Sequence, residues 1–360
     1  MKDRATAPSV PGRYLVLDIG GTKIAAGVGT PGLTSLNHRA TRPTLPARGG
    51  AAVLETVLEL AGDVAREAGD SLAGVAVASA GVIDRETGTV TSATDLIPGW
   101  AGTPLGPALC EATGLPTFVL NDVHAHALGE MRCGAGAGIQ DAIVVGVGTG
   151  IGGAIVVGGR VLFGTRNLAG HLGHIHHRLA EGFMCSCGRQ GHIESVASGT
   201  GVVDLYRFRT GAGRVSAGAD ISRAADDQVR TASIAYWSPS GDASPADSPR
   251  EREEAVPSGG LELLRLAEHG DAEALKAFVD AGTALGEVLG SLANSLDPQA
   301  IVLSGSMTGA GEQWWEALRG GYRRQAMDPV REVPLMRGRL GGDAPLLGAL
   351  AYACDSRFKQ

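Results

Sequence analysis

Apolar and polar positions alternate along this chain in short blocks, and the blocks predict strands and helices in turn. Tyr14–Asp18 (YLVLD) is an apolar run that ends at IGGT and is followed by KIAAGVG. That is the pattern of a strand, a glycine turn and a returning strand. Residues 51–69 (AAVLETVLELAGDVAREAG) place their apolar positions at helical spacing. GVAVASAG at 74–81 reads as a buried strand, and VIDRETGTVTSA after it as a hairpin around Glu86-Thr87-Gly88. TPLGPALCEATG is helical beyond its first proline, LPTFVLND is another strand, and a helix begins directly after Asp122. Late in the chain come helices at 261–270 and 271–296, a strand in AIVLSGSM, and a last helix near PLLGALAYAC.

The pattern also repeats. AIVVGVGTGIGGAIVV at 142–157 lies over YLVLDIGGTKIAAGV at 14–28, apolar strand, Thr-containing glycine turn, apolar strand, 128 residues apart. Gly-rich hairpins are common singly, but two that each open a domain-sized block predict duplicated domains. Residues 236–260 (YWSPSGDASPADSPREREEAVPSGG) break the pattern with Pro, Ser and charge and are expected to form a mobile surface insertion.

Composition narrows the class. The 360 residues are 44% apolar and 19% charged, a globular balance long enough for two domains. The net charge of -7, with no basic cluster, argues against nucleic-acid binding by counterion release. The start, MKDRATAPSVPGR, lacks the apolar core of a signal peptide, and the most apolar segment is interrupted by Gly and Thr, so no membrane span is expected. Five scattered cysteines do not make a disulfide framework, and the expectation is a reduced, cytoplasmic protein.

Three stretches could carry chemistry. The turns DIGGT and GVGTGIGG offer backbone N–H groups and Thr hydroxyls unobstructed by side chains, the makings of a phosphate nest, although each is equally a plain hairpin. Neither ends in Gly-Lys-Ser/Thr, so neither is a P-loop. Asp18, beside the first turn, is placed to hold a hydrated Mg2+. Asp122 ends a strand, where an aspartate can accept the proton of an attacking hydroxyl, or can simply cap the next helix. In AGHLGHIHHRLAEGFMCSCGRQGHIE, Cys185, Cys187, His192 and His174 make a Cys2His2 set suited to closed tetrahedral zinc, with His176 and His177 competing for the fourth place; a solvated loop with two free thiols is the alternative. Glu194 follows that loop as a helix-start charge or as a ligand it positions. His124 and His126, two apart on a helix, point different ways and read as incidental.

Taken together, DIGGTK at 18–23, LND at 120–122, VGTGIGG at 147–153, GHLGH at 170–174, CSCGRQGHIE at 185–194 and LDPQAIVLSGSM resemble the ROK family of bacterial sugar kinases and sugar-responsive repressors, from Arg13 onward except for the insertion. The resemblance implies a two-domain α/β fold of the actin/hexokinase kind, a duplicated ribonuclease H-like unit closing over a cleft. It implies ATP-dependent phosphorylation of a hexose hydroxyl, usually at C6, with Mg2+ and a structural Zn2+. By motif, Asp122 resembles the general base, and Asn121, Gly81, His171, His174 and Glu194 resemble sugar-binding residues. Asp18, Gly20, Gly21, Thr22, Lys23, Gly148, Thr149 and Gly150 resemble the phosphate-binding loops, and Gly305 the adenosine-binding loop. The zinc ligands so implied are His174, Cys185, Cys187 and His192, and a homodimer or homotetramer is implied as well.

Expected boundaries are a disordered tail at 1–12, an N-terminal α/β domain at 13–122 with the last helix (about 345–357) packing back on it, and a larger C-terminal domain at 123–344 with the zinc loop at 171–194. Three positions depart from the family. His171 stands where Glu-x-Gly-His is common, a form that resembles N-acetylmannosamine kinases of the family. His192 replaces the usual third cysteine, and Asp95 replaces an Asn before Leu96. Two rival readings remain. A family repressor carries a helix-turn-helix region ahead of the DIGGTK motif, where this chain has only residues 1–12 before the first strand. A non-catalytic sugar-binding protein fits poorly with an intact Asp122 and two intact glycine turns.

Overall fold

The structure, a computed structural model, describes residues 12–32, 34–69, 72–211 and 257–355. The expected tail, apart from Gly12, and the expected insertion up to residue 256 lie outside the described residues.

In chain order the first half contains β1 (Arg13–Ile19), β2 (Lys23–Gly29), β3 (Leu36–Pro43), α1 (Gly50–Ala68), β4 (Leu72–Ser79), β5 (Val82–Asp84), β6 (Thr89–Ser92), α2 (Leu105–Thr113), β7 (Thr117–Asn121) and α3 (Asp122–Cys133). The second contains β8 (Ala142–Val147), β9 (Ile151–Val157), β10 (Arg160–Val161), α4 (Glu194–Ala197), α5 (Gly199–Thr210), α6 (Gly260–Glu268), α7 (Ala272–Leu296), β11 (Ala300–Ser304), α8 (Glu312–Gln325), β12 (Leu335–Arg337) and α9 (Ala344–Cys354).

These strands build two sheets of the same plan. One runs β3-β2-β1-β4-β7 and the other β10-β9-β8-β11-β12. In each, three antiparallel neighbours are joined by two parallel strands. The repeat expected from the two glycine turns is therefore a repeat of topology, with β1 matched by β8 and β4 by β11. Parallel strands are covered on both faces, which is why YLVL and AIVV are continuous apolar runs rather than alternating ones. Leu15, Val16 and Leu17 are fully buried.

The apolar stripe of α1 (Val53, Val57, Leu60 and Val64) covers one face of the first sheet. Between the two sheets lie α3 and α9. One core joins Val16, Ala76 and Leu120 of the first sheet, Val144 and Val302 of the second, and Leu128 and Leu346 of these helices. The two helices touch backbone to backbone. A Cβ on Gly129 would meet the Ala344 carbonyl oxygen, and one on Gly348 the Ala125 oxygen, so larger residues would push them apart. On the outer face of the second sheet, α7 and α8 pack with α5 around Phe278, Leu285, Trp314 and Leu318. No helix among the described residues is long and apolar enough to cross a membrane.

This layering sets up a site. The carboxyl ends of β1, β4 and β7 emerge along one edge, those of β8 and β11 along the matching edge of the second sheet, and connections at such edges are free to carry ligands.

Candidate active site

β7 ends in Asn121 and runs directly into α3. Asn121 is the N-cap: its Oδ1 accepts from the N–H of Val123 (3.0 Å) and of His124 (3.2 Å). Asp122 is the first helical residue, so capping, one of the two roles open to it from sequence, belongs to its neighbour. The Asn121 Nδ2 donates to the Gly81 carbonyl oxygen and to Asp122 Oδ1, both at 2.9 Å. Its amide is thus used within the protein on both sides, and through it Asn121 orients Asp122. Gly81, a second expected sugar-binding residue, enters through that carbonyl. Its φ is 98°, and a Cβ there would lie 2.8 Å from Ser92 O.

Asp122 is half-buried, and desolvation of its carboxylate raises its pKa from 3.8 to about 6. Donation by Val123 N–H (2.9 Å), its own N–H and the Asn121 amide oppose the rise. Asp18, near the end of β1, rises from 3.8 to about 7, first through burial and then through the negative charge of Asp122, with Lys23 opposing. The negative charge of Asp122 therefore reaches Asp18.

Around Asp18 the turn at Gly20-Gly21-Thr22 is closed by Gly20 N–H donating to Lys23 O (3.1 Å) and braced by Thr44, whose hydroxyl donates to Gly20 O (2.7 Å). Thr22 and Lys23 are exposed. The second turn, Gly148-Thr149-Gly150, is fastened to the start of α5. Gly199 N–H donates to Gly148 O (2.7 Å) and the Thr200 hydroxyl to Thr149 O (2.8 Å). Sequence reasoning passed over this partner. Its signal was SGTG at 198–201, a Ser N-cap before two glycines, which opens a helix whose N-terminal N–H groups suit phosphate. A cavity of about 740 Å³ opens beside this junction, lined among others by Thr149, Thr200, Arg207, Leu261, Ser306 and Met307. Gly305 lies just before the last two of these. Its φ of 95° and the Val147 carbonyl oxygen that an added Cβ would strike demand glycine there.

The His/Cys stretch folds into a knuckle. Cys185 N–H donates to Arg189 O (2.8 Å) and Gly188 N–H to Cys185 O (2.9 Å), while a bridge pairs His176 with His192. His174, Cys185, Cys187 and His192 each offer one ligand atom, all within 4.8 Å of one another. His174 Nδ1 is 3.4 Å from Cys185 Sγ, and His192 Nδ1 is 3.2 Å from Cys187 Sγ. Those spacings match the edge of roughly 3.5 Å in a tetrahedron of Zn–N and Zn–S bonds. Burial pushes the Cys185 thiol up to about 12. A cation at the centre of the four would favour the thiolate instead, so the donor set fits zinc. His176 is outside the four, and His177 accepts from Leu179 N–H and bonds Glu287 (3.1 Å).

Glu194 joins this knuckle to the second glycine turn. Its Oε2 accepts from Ile151 N–H (2.9 Å), and its Oε1 from the Ser186 hydroxyl (2.5 Å) and the Cys185 thiol (3.4 Å). His171 stacks on His174 (6.3 Å between centroids) and meets His124 edge-on at 6.1 Å; its buried Nδ1 has no hydrogen-bond partner. His124 is not incidental, as the spacing suggested. It is buried, its Nε2 donates to Ala169 O at 2.8 Å, and burial lowers its pKa to about 4, so it stays a neutral donor. His126 does point elsewhere and is also buried, without a partner for Nε2.

Comparison with known proteins matches this geometry to one group. The chain is 30% identical over 344 residues to the glucokinase of Halalkalibacterium halodurans, covering 93% of each chain. It is 30% identical over 348 residues to the N-acetylmannosamine kinase of Yersinia pseudotuberculosis, covering 96% of this chain and 99% of that one. The solved ROK family glucokinase from Streptomyces griseus, in complex with glucose and AMPPNP, is similar with a TM-score of 0.72 and 28% identity, over 94% of this chain and 98% of that one. Residues 14–356 match the ROK family, and the chain belongs to it, with the actin/hexokinase-like fold of its sugar kinases.

Proposed function

We propose that the chain is an ATP-dependent hexose kinase in which Asp122 is the general base. The observation that carries this reading is the placement of the Asp122 carboxylate, at the end of β7 and oriented by the Asn121 amide, with desolvation raising its pKa to about 6. A base with that pKa is ionised at neutral pH yet basic enough to take a hydroxyl proton as the oxygen attacks phosphorus. A free amide or a capping aspartate would have no such requirement.

The rest of the site is positioning and charge. The two glycine turns and the start of α5 offer backbone N–H groups to the nucleotide phosphates, and the cavity beside Thr149 and Thr200 has room for the nucleoside. Asp18 is the carboxylate that would hold the waters of a Mg2+ carried with the nucleotide, which would neutralise charge on the phosphates. The four ligands of the knuckle would hold zinc in a structural role, setting His174 and the Glu194 link in place.

The substrate reading is a hexose of the N-acetylmannosamine or glucose type. His171 favours the N-acetylated sugar. A neutral imidazole with an unpartnered buried nitrogen can pair with an acetamido group or a hydroxyl, whereas a carboxylate would only accept. The test is a coupled assay of ADP release with ATP and each of glucose, N-acetylmannosamine, N-acetylglucosamine, mannose, allose and fructose, run on wild type and Asp122→Asn. Turnover with at least one hexose, lost in the variant, is expected. Turnover with none removes the kinase reading and leaves a sugar-binding protein, and wild-type rates in the variant remove the base.

A further inference from the structure

The β5–β6 hairpin leaves the first sheet at Gly81 and reaches across to the second half of the molecule. Arg85, in its turn, sets Nε 2.9 Å from Asn167 Oδ1 and its guanidinium carbon 3.9 Å from the centroid of the Phe163 ring. Phe163 and Asn167 belong to the segment after β10 that delivers His171 and His174. The same segment is held from beneath by α3: His124 donates to Ala169 O, and its ring packs edge-on against Phe163 at 5.1 Å. A guanidinium suits this place because it lies flat on an aromatic ring and donates in its own plane at once; an ammonium cannot do both.

The hairpin therefore has two ends with different duties. At its base, the Gly81 carbonyl fixes Asn121 and through it Asp122. At its turn, Arg85 fixes the loop that brings His171. We propose that Arg85 is a positioning residue for the sugar, a latch that sets the His171 loop of one half against the Asp122 end of the other. The inference rests on the kinase reading, in which the sugar lies between those two groups. Arg85 contributes no group to the nucleotide turns, so its loss acts on one substrate only. A displacement of about 1 Å at a reacting centre can cost on the order of a hundredfold, and a loosened loop on one side of the sugar is expected to cost about tenfold.

The experiment uses the full chain with Arg85→Ala, Arg85→Lys and Asn167→Gly. Asn167 has φ 55°, so glycine removes the side-chain acceptor while keeping that backbone. KM is measured for ATP and for whichever of glucose and N-acetylmannosamine the wild type phosphorylates faster, together with the melting temperature. Expected is a rise of about tenfold in sugar KM for Arg85→Ala, with ATP KM within about twofold of wild type, and a smaller rise for Arg85→Lys. Asn167→Gly is expected to raise sugar KM alone, and the double variant less than the product of the two singles, because both remove one link. Unchanged sugar KM, equal rises in both KM values, or full additivity overturns the latch. Where Arg85→Ala does not fold, Arg85→Lys and Asn167→Gly decide by the same criteria. Where the wild type turns over neither of these two sugars, KM is measured for whichever of the other four hexoses it phosphorylates fastest; where it turns over none of the six, the kinase reading fails and calorimetric binding of glucose and N-acetylmannosamine decides the latch: weaker binding by Arg85→Ala upholds it, and equal or absent binding overturns it.

Discussion

Asn121 and Asp122 divide two duties at the end of β7: the Asn121 oxygen caps α3, while its amide donates to Asp122 Oδ1 at 2.9 Å. The carboxylate is thereby oriented without being used up as a cap. Asp122→Asn is expected to reduce turnover by roughly a thousandfold, within the range for a lost general base, while sugar binding by calorimetry stays within a few-fold of wild type. Equal losses in turnover and in binding would mark Asp122 as a ligand instead of a base.

The same residue predicts a stability effect of opposite sign. The folded pKa values of Asp122 (about 6) and Asp18 (about 7) lie above the ordinary 3.8, so the folded protein holds these protons more tightly than the unfolded chain does. Their contribution is most favourable below about pH 4 and is lost as pH rises through 6 and 7. For Asp122 the shift from 3.8 to about 6 amounts to on the order of 3 kcal/mol. Asp122→Asn removes that cost, so the variant should melt higher than wild type at pH 8 and gain little at pH 4. Thermal melts at both pH values check it; a variant less stable at pH 8 would contradict the buried-charge account.

Activity should carry the same pKa. The acid limb of kcat against pH is expected near pH 6, about two units above that of an ordinary carboxylate, because Asp122 must be ionised to accept the proton. A limb near pH 4 would place the essential carboxylate in water, not in this site.

The metal prediction concerns His192. Zinc analysis of protein prepared without a histidine tag should give about one ion per chain, and Cys185→Ser should lose it. His192→Cys should retain zinc, because thiolate and imidazole both suit the fourth place. Chelation should lower the melting temperature and raise sugar KM, since His174 and Glu194 are both tied to the knuckle. Metal-free protein with wild-type stability would remove the site.

Much of this was legible in the chain. The glycine turns, their repeat and the Cys/His spacing are local patterns, and each lies in β1–β2, β8–β9 or the knuckle. What escaped was set by partners far away in sequence. β3 is an edge strand whose buried side chain is Leu36 alone, so its apolar pattern is weak. α8 is polar overall, and it buries Trp314 and Leu318 against α7 through contacts that no window of sequence shows. His124 gained its role from Ala169, 45 residues on, and Asn121 from Gly81, 40 residues back. Helical spacing said which way those side chains point, and only the fold said what they meet.

Gly305 offers the sharpest test of the second half, because two independent constraints meet there. Its backbone has φ 95°, where a side chain is strained, and an added Cβ would strike the Val147 carbonyl oxygen of β8. Gly305→Ala must therefore shift the end of β11 away from β8, at a cost of about 2–4 kcal/mol. Because Ser306 and Met307 line the cavity proposed for the nucleoside, that shift should also raise ATP KM more than sugar KM. Gly146, four residues into β8, is the control. A Cβ there meets nothing within 4 Å and its φ is ordinary, so Gly146→Ala should be neutral or gain up to about 1 kcal/mol. Chemical denaturation of the two variants checks the pair, and equal effects at both positions would mean that the close approach of β11 to β8 does not hold in solution.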